Sequence, residues 1–132
     1  MQFVIKTQKR EEVIDITKQI QALVSRYSLK EGLCNIFIPH ATAAVTINEN
    51  CDEKVNEDFL EAMRKIAPKG VWKHDSVDGN GDSHIKASLI GPSITIPIQN
   101  NRLLLGRWQG IMFCEFDGPR ERTILVNCSR SQ

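Results

Sequence analysis

The 132-residue chain lacks the features that would place it in a membrane or carry it out of the cell. No apolar run approaches the roughly 20 residues that span a bilayer, and the N-terminal residues lack a basic stretch followed by a long apolar one. We therefore expect a cytoplasmic protein without a membrane partner. Its 17 basic and 16 acidic side chains leave a formal charge of +1, which argues against a face that binds a phosphate backbone. Nucleic acid is not expected as a partner.

Several signatures of metal binding and catalysis are also absent from the sequence. Neither HxxxH nor HExxH occurs, and the nucleophile elbow GxSxG, the Walker loop and the dinucleotide fingerprint GxGxxG are missing. The hydrolase-triad, nucleotide-phosphatase and dinucleotide-binding classes therefore have no support. The cysteines form no CxxC pair, which excludes zinc-ribbon spacing, and in the cytoplasm we expect them to be reduced and to pack as small apolar side chains. They are Cys34, Cys51, Cys114 and Cys128.

The composition is that of an ordinary globular protein, with 41% hydrophobic and 25% charged residues. A chain of this length forms one domain, which we place at 1–132. Apolar residues at helical spacing predict an amphipathic helix from about residue 10 to residue 26. A second helix is predicted from a capping box at Asn50 and Glu53 to the break at Pro68.

Strand patterns occur along the whole chain and dominate its second half. Residues 71–83 show no hydrophobic period and are rich in Asp, Asn and Gly, which indicates an irregular loop. Early helices followed by strands joined through short turns predict an α+β fold with a largely antiparallel sheet or sandwich. The predicted strands are residues 2–7, Leu33–Ile38, Ala43–Ile47, Ile85–Ile90, Ser93–Ile98, Arg102–Leu105, Ile111–Phe116 and Thr123–Cys128.

All three histidines, His40, His74 and His84, occur in polar, turn-forming sequence or at the edge of a predicted strand. Three neutral imidazoles can hold a divalent transition metal ion and leave one coordination position open for water or substrate. Their placement therefore predicts a metal site. The alternative is that they are exposed loop histidines without a ligand, because their spacing matches no metal-binding motif.

A second group of charged residues surrounds the turn at Gly118-Pro119. Glu115 and Asp117 share one face of an extended segment, and Arg120 and Arg122 follow the turn. Carboxylates can act as a base or bind a hard cation, and guanidinium groups bind phosphate oxygens through two parallel hydrogen bonds. The group suits a phosphorylated substrate. The alternative is a salt-bridged hairpin turn at the surface.

Two further segments carry candidate binding residues. On the predicted strand Ile85–Ile90 and the residue before it, His84, Lys86 and Ser88 would share one face, so that an ammonium and a hydroxyl group extend a polar site. Trp108 lies in a glycine-flanked turn, where it either stacks on a ligand or fills the core.

Taken together, six motifs resemble the YjbQ family, also called the secondary thiamine-phosphate synthases. Their order and spacing match over nearly the whole chain, from Thr7 to Cys128. The chain differs from the usual family pattern at Ala41, where a threonine is expected, and at Arg107, which also replaces a threonine. The motifs are His40-Ala41-Thr42, Ile47-Asn48-Glu49, His74-Asp75, His84-Ile85-Lys86-Ala87-Ser88-Leu89, Leu105-Gly106-Arg107-Trp108-Gln109 and Glu115-Phe116-Asp117-Gly118-Pro119-Arg120.

The resemblance implies an α+β homotrimer with a weak thiamine-phosphate synthase activity, which joins an aminopyrimidine diphosphate to a thiazole phosphate and releases diphosphate. It implies a divalent metal ion, zinc or another transition metal, with magnesium as an alternative for the diphosphate. Two other functions stay open: another metal-dependent transferase or hydrolase on a phosphorylated metabolite, and a non-catalytic metal- or metabolite-binding trimer. The implied site has His40, His74 and His84 as metal ligands, Glu115, Asp117 and Glu49 as catalytic residues, and Arg120, Lys86, Ser88, Gln109 and Asn48 as substrate-binding residues.

Overall fold

Two antiparallel sheets face each other in a computed structural model that describes residues 1–131. Within those residues, no helix is both long and apolar enough to cross a membrane. A short 3-10 turn, Lys73–Ser76, precedes the third helix. The strands are β1 (Gln2–Lys6), β2 (Glu12–Asp15), β3 (Glu31–Phe37), β4 (Ala43–Glu49), β5 (Ser93–Gln99), β6 (Arg102–Leu103), β7 (Gln109–Glu115) and β8 (Glu121–Arg130), and the helices are α1 (Thr17–Tyr27), α2 (Glu53–Ile66) and α3 (Gly81–Ile90).

The larger sheet has the strand order β1-β8-β3-β5-β6, and every neighbouring pair is antiparallel. Side chains alternate between its faces, as the pattern of Ser93–Ile98 predicts: Ile94, Ile96 and Ile98 all pack in the core. We call the opposite face the outer face. It carries apolar side chains that are exposed or only partly buried, namely Val4, Leu33, Phe37, Pro97 and Leu125.

The smaller sheet has the order β2-β7-β4 and is apolar on both faces. Val45 and Phe113 lie opposite each other in the register of β4 and β7, and both pack with α1 in the core between the sheets. The next pair, Ala44 and Cys114, points the other way and packs in a second core. Residues of α2 and α3, including Met63, belong to that second core. These contacts confirm the α+β class and the antiparallel sandwich.

The prediction of a strand at Ile85–Ile90 is wrong, because these residues belong to helix α3. The sequence shows little helical period there because α3 buries charge as well as apolar surface. Asp82 and Lys86, one helical turn apart, are both fully buried and form an ion pair with an Nζ–Oδ2 distance of 2.8 Å. Gly91 follows the last helical residue at a positive φ of 101°.

Two other predicted boundaries are also corrected. Residues 12–15 form strand β2 rather than the first turn of a helix, and α1 begins only at Thr17. The Asp15 carboxylate accepts hydrogen bonds from the Thr17 amide and hydroxyl groups, which fixes this start. Helix α2 is capped by Asp52, which accepts from the Lys54 amide, and not by Asn50.

The loop that contains Trp108 lies at the surface, with the indole 53% exposed. Filling of the core by Trp108 is therefore excluded. The Arg107 guanidinium group lies 4.9 Å from the centroid of its ring, so these two neighbours stack on each other.

Candidate functional site

A polar cavity of about 590 Å³ opens at one end of the sandwich. Three segments that are distant in sequence form it: the β3–β4 connection, the β7–β8 turn with the start of β8, and the stretch that leads into α3. Its lining residues are Pro39, His40, Ala41, Thr42, Asp78, Asn80, His84, Asp117, Arg120 and Arg122.

A buried ion pair between Glu115 and Arg122 lies beneath the cavity. Both side chains point into the space between the sheets, and their exposures are 0% and 2%. Arg122 Nε lies 2.9 Å and 3.1 Å from the two carboxylate oxygens, and its Nη2 donates to Thr42 Oγ1 at 2.9 Å. The Thr7 hydroxyl donates to Glu115 at 2.7 Å. Glu115 was expected to be catalytic, but it is enclosed, and only its partner Arg122 reaches the cavity.

The Arg120 guanidinium group lies at the cavity rim and is held by the turn that precedes it. Its Nε donates to the Asp117 carbonyl at 2.9 Å and its Nη2 to Asp117 Oδ2 at 3.1 Å. The Asn80 amide donates to the same carboxylate oxygen at 2.7 Å. Because the Arg120 side chain is still 51% exposed, it can also contact a ligand.

His40 lines the cavity and has a defined tautomer. Its Nε2 accepts the Thr123 backbone N–H at 2.9 Å, so the hydrogen of the neutral ring is on Nδ1. Burial, and then the positive charge of Arg122, lower the pKa of His40 below its usual value. At neutral pH His40 is therefore an uncharged donor through Nδ1.

His74 and His84 form a second imidazole group next to the cavity. Their ring centroids are 4.8 Å apart in an edge-to-face arrangement. His74 Nε2 also lies 3.5 Å from Asp78 Oδ2. Of the two rings, only that of His84 lines the cavity, which it shares with His40.

The three predicted metal ligands are thus brought near one another without forming a complete site. Among residues 1–131 no group of three or more His, Cys, Asp or Glu side chains is arranged to hold a metal ion. The His74 ring lies beside His84 and beside the Asp78 carboxylate, whereas His40 would have to release Thr123 or lose its Nδ1 proton to act as a ligand. The metal site therefore remains a prediction.

Asp75 closes the segment that carries Asp78 and Asn80. Its two oxygens accept from the Trp72 amide at 3.0 Å and the Gly81 amide at 2.8 Å. These two backbone hydrogen bonds lower the pKa of Asp75 below its usual value. A side chain at position 81 would collide with Trp72 and Asp75, which explains the glycine there.

Two predicted substrate-binding residues of α3 lie in different places. Lys86 is buried between Asp82 and Glu11, with Nζ–O distances of 2.8 and 3.1 Å, and it does not line the cavity. The predicted common face of His84, Lys86 and Ser88 is a property of a strand. On the helix His84 and Ser88 share a face, and Lys86 points away.

Three further predicted residues, Asn48, Glu49 and Gln109, lie at the opposite end of the smaller sheet. Glu49 pairs with Gln109, whereas Ala43 pairs with Glu115 at the cavity end. Because a strand rises about 3.4 Å per residue, roughly 20 Å separates the two ends. Within one chain these residues do not contribute to the cavity.

Some lining residues could not be selected from the sequence. Asp78 and Asn80 belong to the predicted loop, where the Asp-Gly-Asn-Gly pattern indicated turns but no particular side chain. Thr42 and Arg122 are 80 positions apart in the sequence, and only the fold brings them into contact.

These features define a single-domain α+β protein with a polar, histidine-containing cavity at the end of a sandwich. The chain belongs to the YjbQ family, because the family described as "UPF0047 protein YjbQ-like" matches residues 1–131. A UPF0047 protein of Methanocaldococcus jannaschii is 48% identical over 92% of this chain and 88% of its own length. YugU of Bacillus subtilis is 44% identical over 92% of both chains.

Solved structures support the same assignment of the fold. An uncharacterised YjbQ/UPF0047 protein of Clostridium acetobutylicum superposes with a TM-score of 0.94 at 45% identity and covers 98% of this chain and 99% of its own. A hypothetical protein of Aeropyrum pernix K1 gives a TM-score of 0.94 at 39% identity, with 99% and 98% covered.

Removing Glu115 should destabilise the protein. Glu115→Ala leaves the Arg122 charge buried without a partner, which costs about 3–5 kcal/mol of unfolding free energy. Chemical denaturation measures this loss. Glu57→Ala removes an exposed carboxylate of α2 and should stay within about 0.5 kcal/mol of the wild type. Equal losses in the two variants would contradict a structural role for Glu115.

Stability should also depend on the protonation of His40. Because the pKa of His40 is lowered in the folded protein, the unfolded chain takes up this proton first as the pH falls. This contribution is present above pH about 6.5 and is lost as the pH falls towards the lowered folded value. Denaturation midpoints between pH 7.5 and 5 should therefore fall less steeply for His40→Gln than for the wild type. An unchanged slope would show that His40 titrates alike in both states.

Proposed function

We propose that the protein is a metal-dependent transferase of phosphorylated small molecules, with thiamine-phosphate synthase activity as the specific reaction. The specific reaction rests on the family resemblance. The observation that supports a phosphorylated substrate is the cavity itself, which is lined both by Arg120 and by His40 in its Nδ1-donor tautomer. An exposed guanidinium group and a neutral imidazole N–H both donate to phosphate oxygens.

The charges around the cavity support the need for a cation. Glu115 neutralises Arg122 and Asp117 neutralises Arg120, which leaves Asp78 as the unbalanced charge. A phosphate group would therefore enter a site that has no net positive charge. A divalent ion would supply that charge and would stabilise a leaving diphosphate.

In the proposed reaction the carbon–oxygen bond between the aminopyrimidine methylene group and its diphosphate breaks. The thiazole nitrogen forms a new bond to that carbon, and diphosphate leaves with the electron pair. Negative charge grows on the leaving oxygen, where Arg120 and His40 Nδ1–H would donate hydrogen bonds. Asp117 would act through Arg120 by fixing the guanidinium orientation, together with Asn80.

We also propose that the protein works in the cytoplasm as a homotrimer, as the resemblance implies. The outer face supports association, because apolar side chains such as Leu33 and Phe37 are 47% and 39% exposed there. Light scattering should give a mass of about three times 14.9 kDa. A monomer over micromolar concentrations would contradict the trimer.

Turnover of the two thiamine precursors by metal-analysed protein tests the function. Arg120→Gln should raise KM about tenfold or more, because a hydrogen bond to a charged group is worth roughly 1.5–3 kcal/mol. Arg107→Gln is the matched control, since Arg107 is an exposed arginine that stacks on Trp108 outside the cavity. His84→Ala and a chelator should both abolish turnover. Equal activity in the Arg120 and Arg107 variants would remove Arg120 from the site.

A second candidate is a binding protein without turnover. It is favoured by the position of the predicted catalytic carboxylates, of which only Asp117 lines the cavity, and that one is already paired. In this case diphosphate with a divalent ion would raise the melting temperature, and no product would form. Another phosphorylated substrate would instead appear as turnover in a wider screen.

A further inference from the structure

A second, smaller cavity of about 210 Å³ adjoins the polar one. His40, Ala41 and His84 line both cavities. A group bound in one cavity therefore lies against the same imidazoles as a group bound in the other. The remaining walls of the smaller cavity are Ala43, Ala87, Ser88 and Pro92.

The walls of the two cavities differ in chemistry. Half of the residues that line the larger cavity have charged or amide side chains, whereas the smaller cavity has none of these: besides the two shared imidazoles it has three alanine methyl groups, a proline ring and a single hydroxyl group. Helix α3 explains this difference, because His84, Ala87 and Ser88 recur at the spacing that places them on one helix face. Ala43 and Ala87 are 1% and 6% exposed, so well-packed residues back this wall.

The small side chains leave space that a substituent can fill. At about 30 Å³ per water molecule, this volume corresponds to roughly seven waters, enough for a short branched alkyl group or one five-membered ring. The polar groups on its walls are the Ser88 hydroxyl and the two shared imidazoles, and the side chains of Ala43, Ala87 and Pro92 offer water no hydrogen bond. An apolar substituent releases that water and buries its own surface.

We propose that the two cavities bind a single phosphate ester, with its phosphate group in the larger cavity beside Arg120 and a small apolar substituent in the smaller one. This inference rests on the proposed function for the phosphate and adds the substituent. Ala41 would then determine specificity, because this exposed residue lies where the cavities meet and a larger side chain there would separate them.

Calorimetric titration with inorganic phosphate, methyl phosphate and isobutyl phosphate, at one fixed magnesium concentration, tests the proposal. Each buried methylene group should tighten binding about fourfold, so isobutyl phosphate should bind at least tenfold more tightly than methyl phosphate. A ratio near one in the wild-type protein would overturn the proposal.

Two variants locate the substituent. Ser88→Leu fills the smaller cavity from an exposed position, and Ala41→Leu blocks its junction with the larger one. Both should bring the ratio of the two affinities close to one, whereas Ser88→Ala should keep it above tenfold. Circular dichroism checks that each variant is folded. A wild-type ratio in both leucine variants would overturn the proposal.

The titration distinguishes an incorrect apolar subsite from an incorrect phosphate site. If phosphate and methyl phosphate bind with equal strength to isobutyl phosphate, the apolar subsite is wrong and the phosphate site stands. If none of the three probes binds, with or without magnesium, the proposed function and this inference are both overturned.

Discussion

The ion pair between Glu115 and Arg122 is the constraint on which the cavity depends. Glu115 comes from the smaller sheet and Arg122 from the larger, so the pair joins the two sheets where their strands end. Charges buried at this depth must have nearly all their hydrogen bonds satisfied. Thr7 and Thr42 meet that requirement from two further segments, and each is thereby fixed in place. The end of the sandwich is thus held by polar contacts of defined direction, whereas its middle is held by apolar packing that has none.

The same arrangement keeps the net charge of the site small. Most of its charged groups already have a partner in the folded chain, and the charge of Arg122 helps to keep His40 neutral. Such a site attracts an anion weakly at long range and recognises it at short range, through donors that point in fixed directions. This property suits selection among phosphorylated molecules by shape more than by charge, and the two adjoining cavities, which share His40, Ala41 and His84, provide such a shape.

Apolar periodicity and turn residues were sufficient to predict the class, a largely antiparallel sheet or sandwich, and seven of the eight strands, because strands such as β3 and β5 bury alternate side chains. The prediction from periodicity failed where the buried side chains are charged. Helix α3 hides Asp82 and Lys86 as an ion pair, so its pattern resembled a strand. The histidines were selected as candidate site residues from their polar surroundings, and two of them, His40 and His84, line the cavity. Glu115 and Lys86 were selected as well, because the sequence does not show whether a charged residue faces a cavity or a buried partner of opposite charge. Asn48, Glu49 and Gln109 were proposed from resemblance alone, and within one chain the fold places them at the far end of the sheet.

The carboxylate of Asp75 accepts hydrogen bonds from the backbone amides at both ends of the segment from Trp72 to Gly81 and so holds these ends together. Because its pKa is lowered, it remains an anion in mildly acidic solution, where His40 begins to take up a proton. Acidification therefore changes the charge inside the cavity before it loosens the wall that carries Asp78 and Asn80. The Asp75 hydrogen bonds persist while the cavity gains one positive charge at His40, which offsets the unbalanced charge of Asp78.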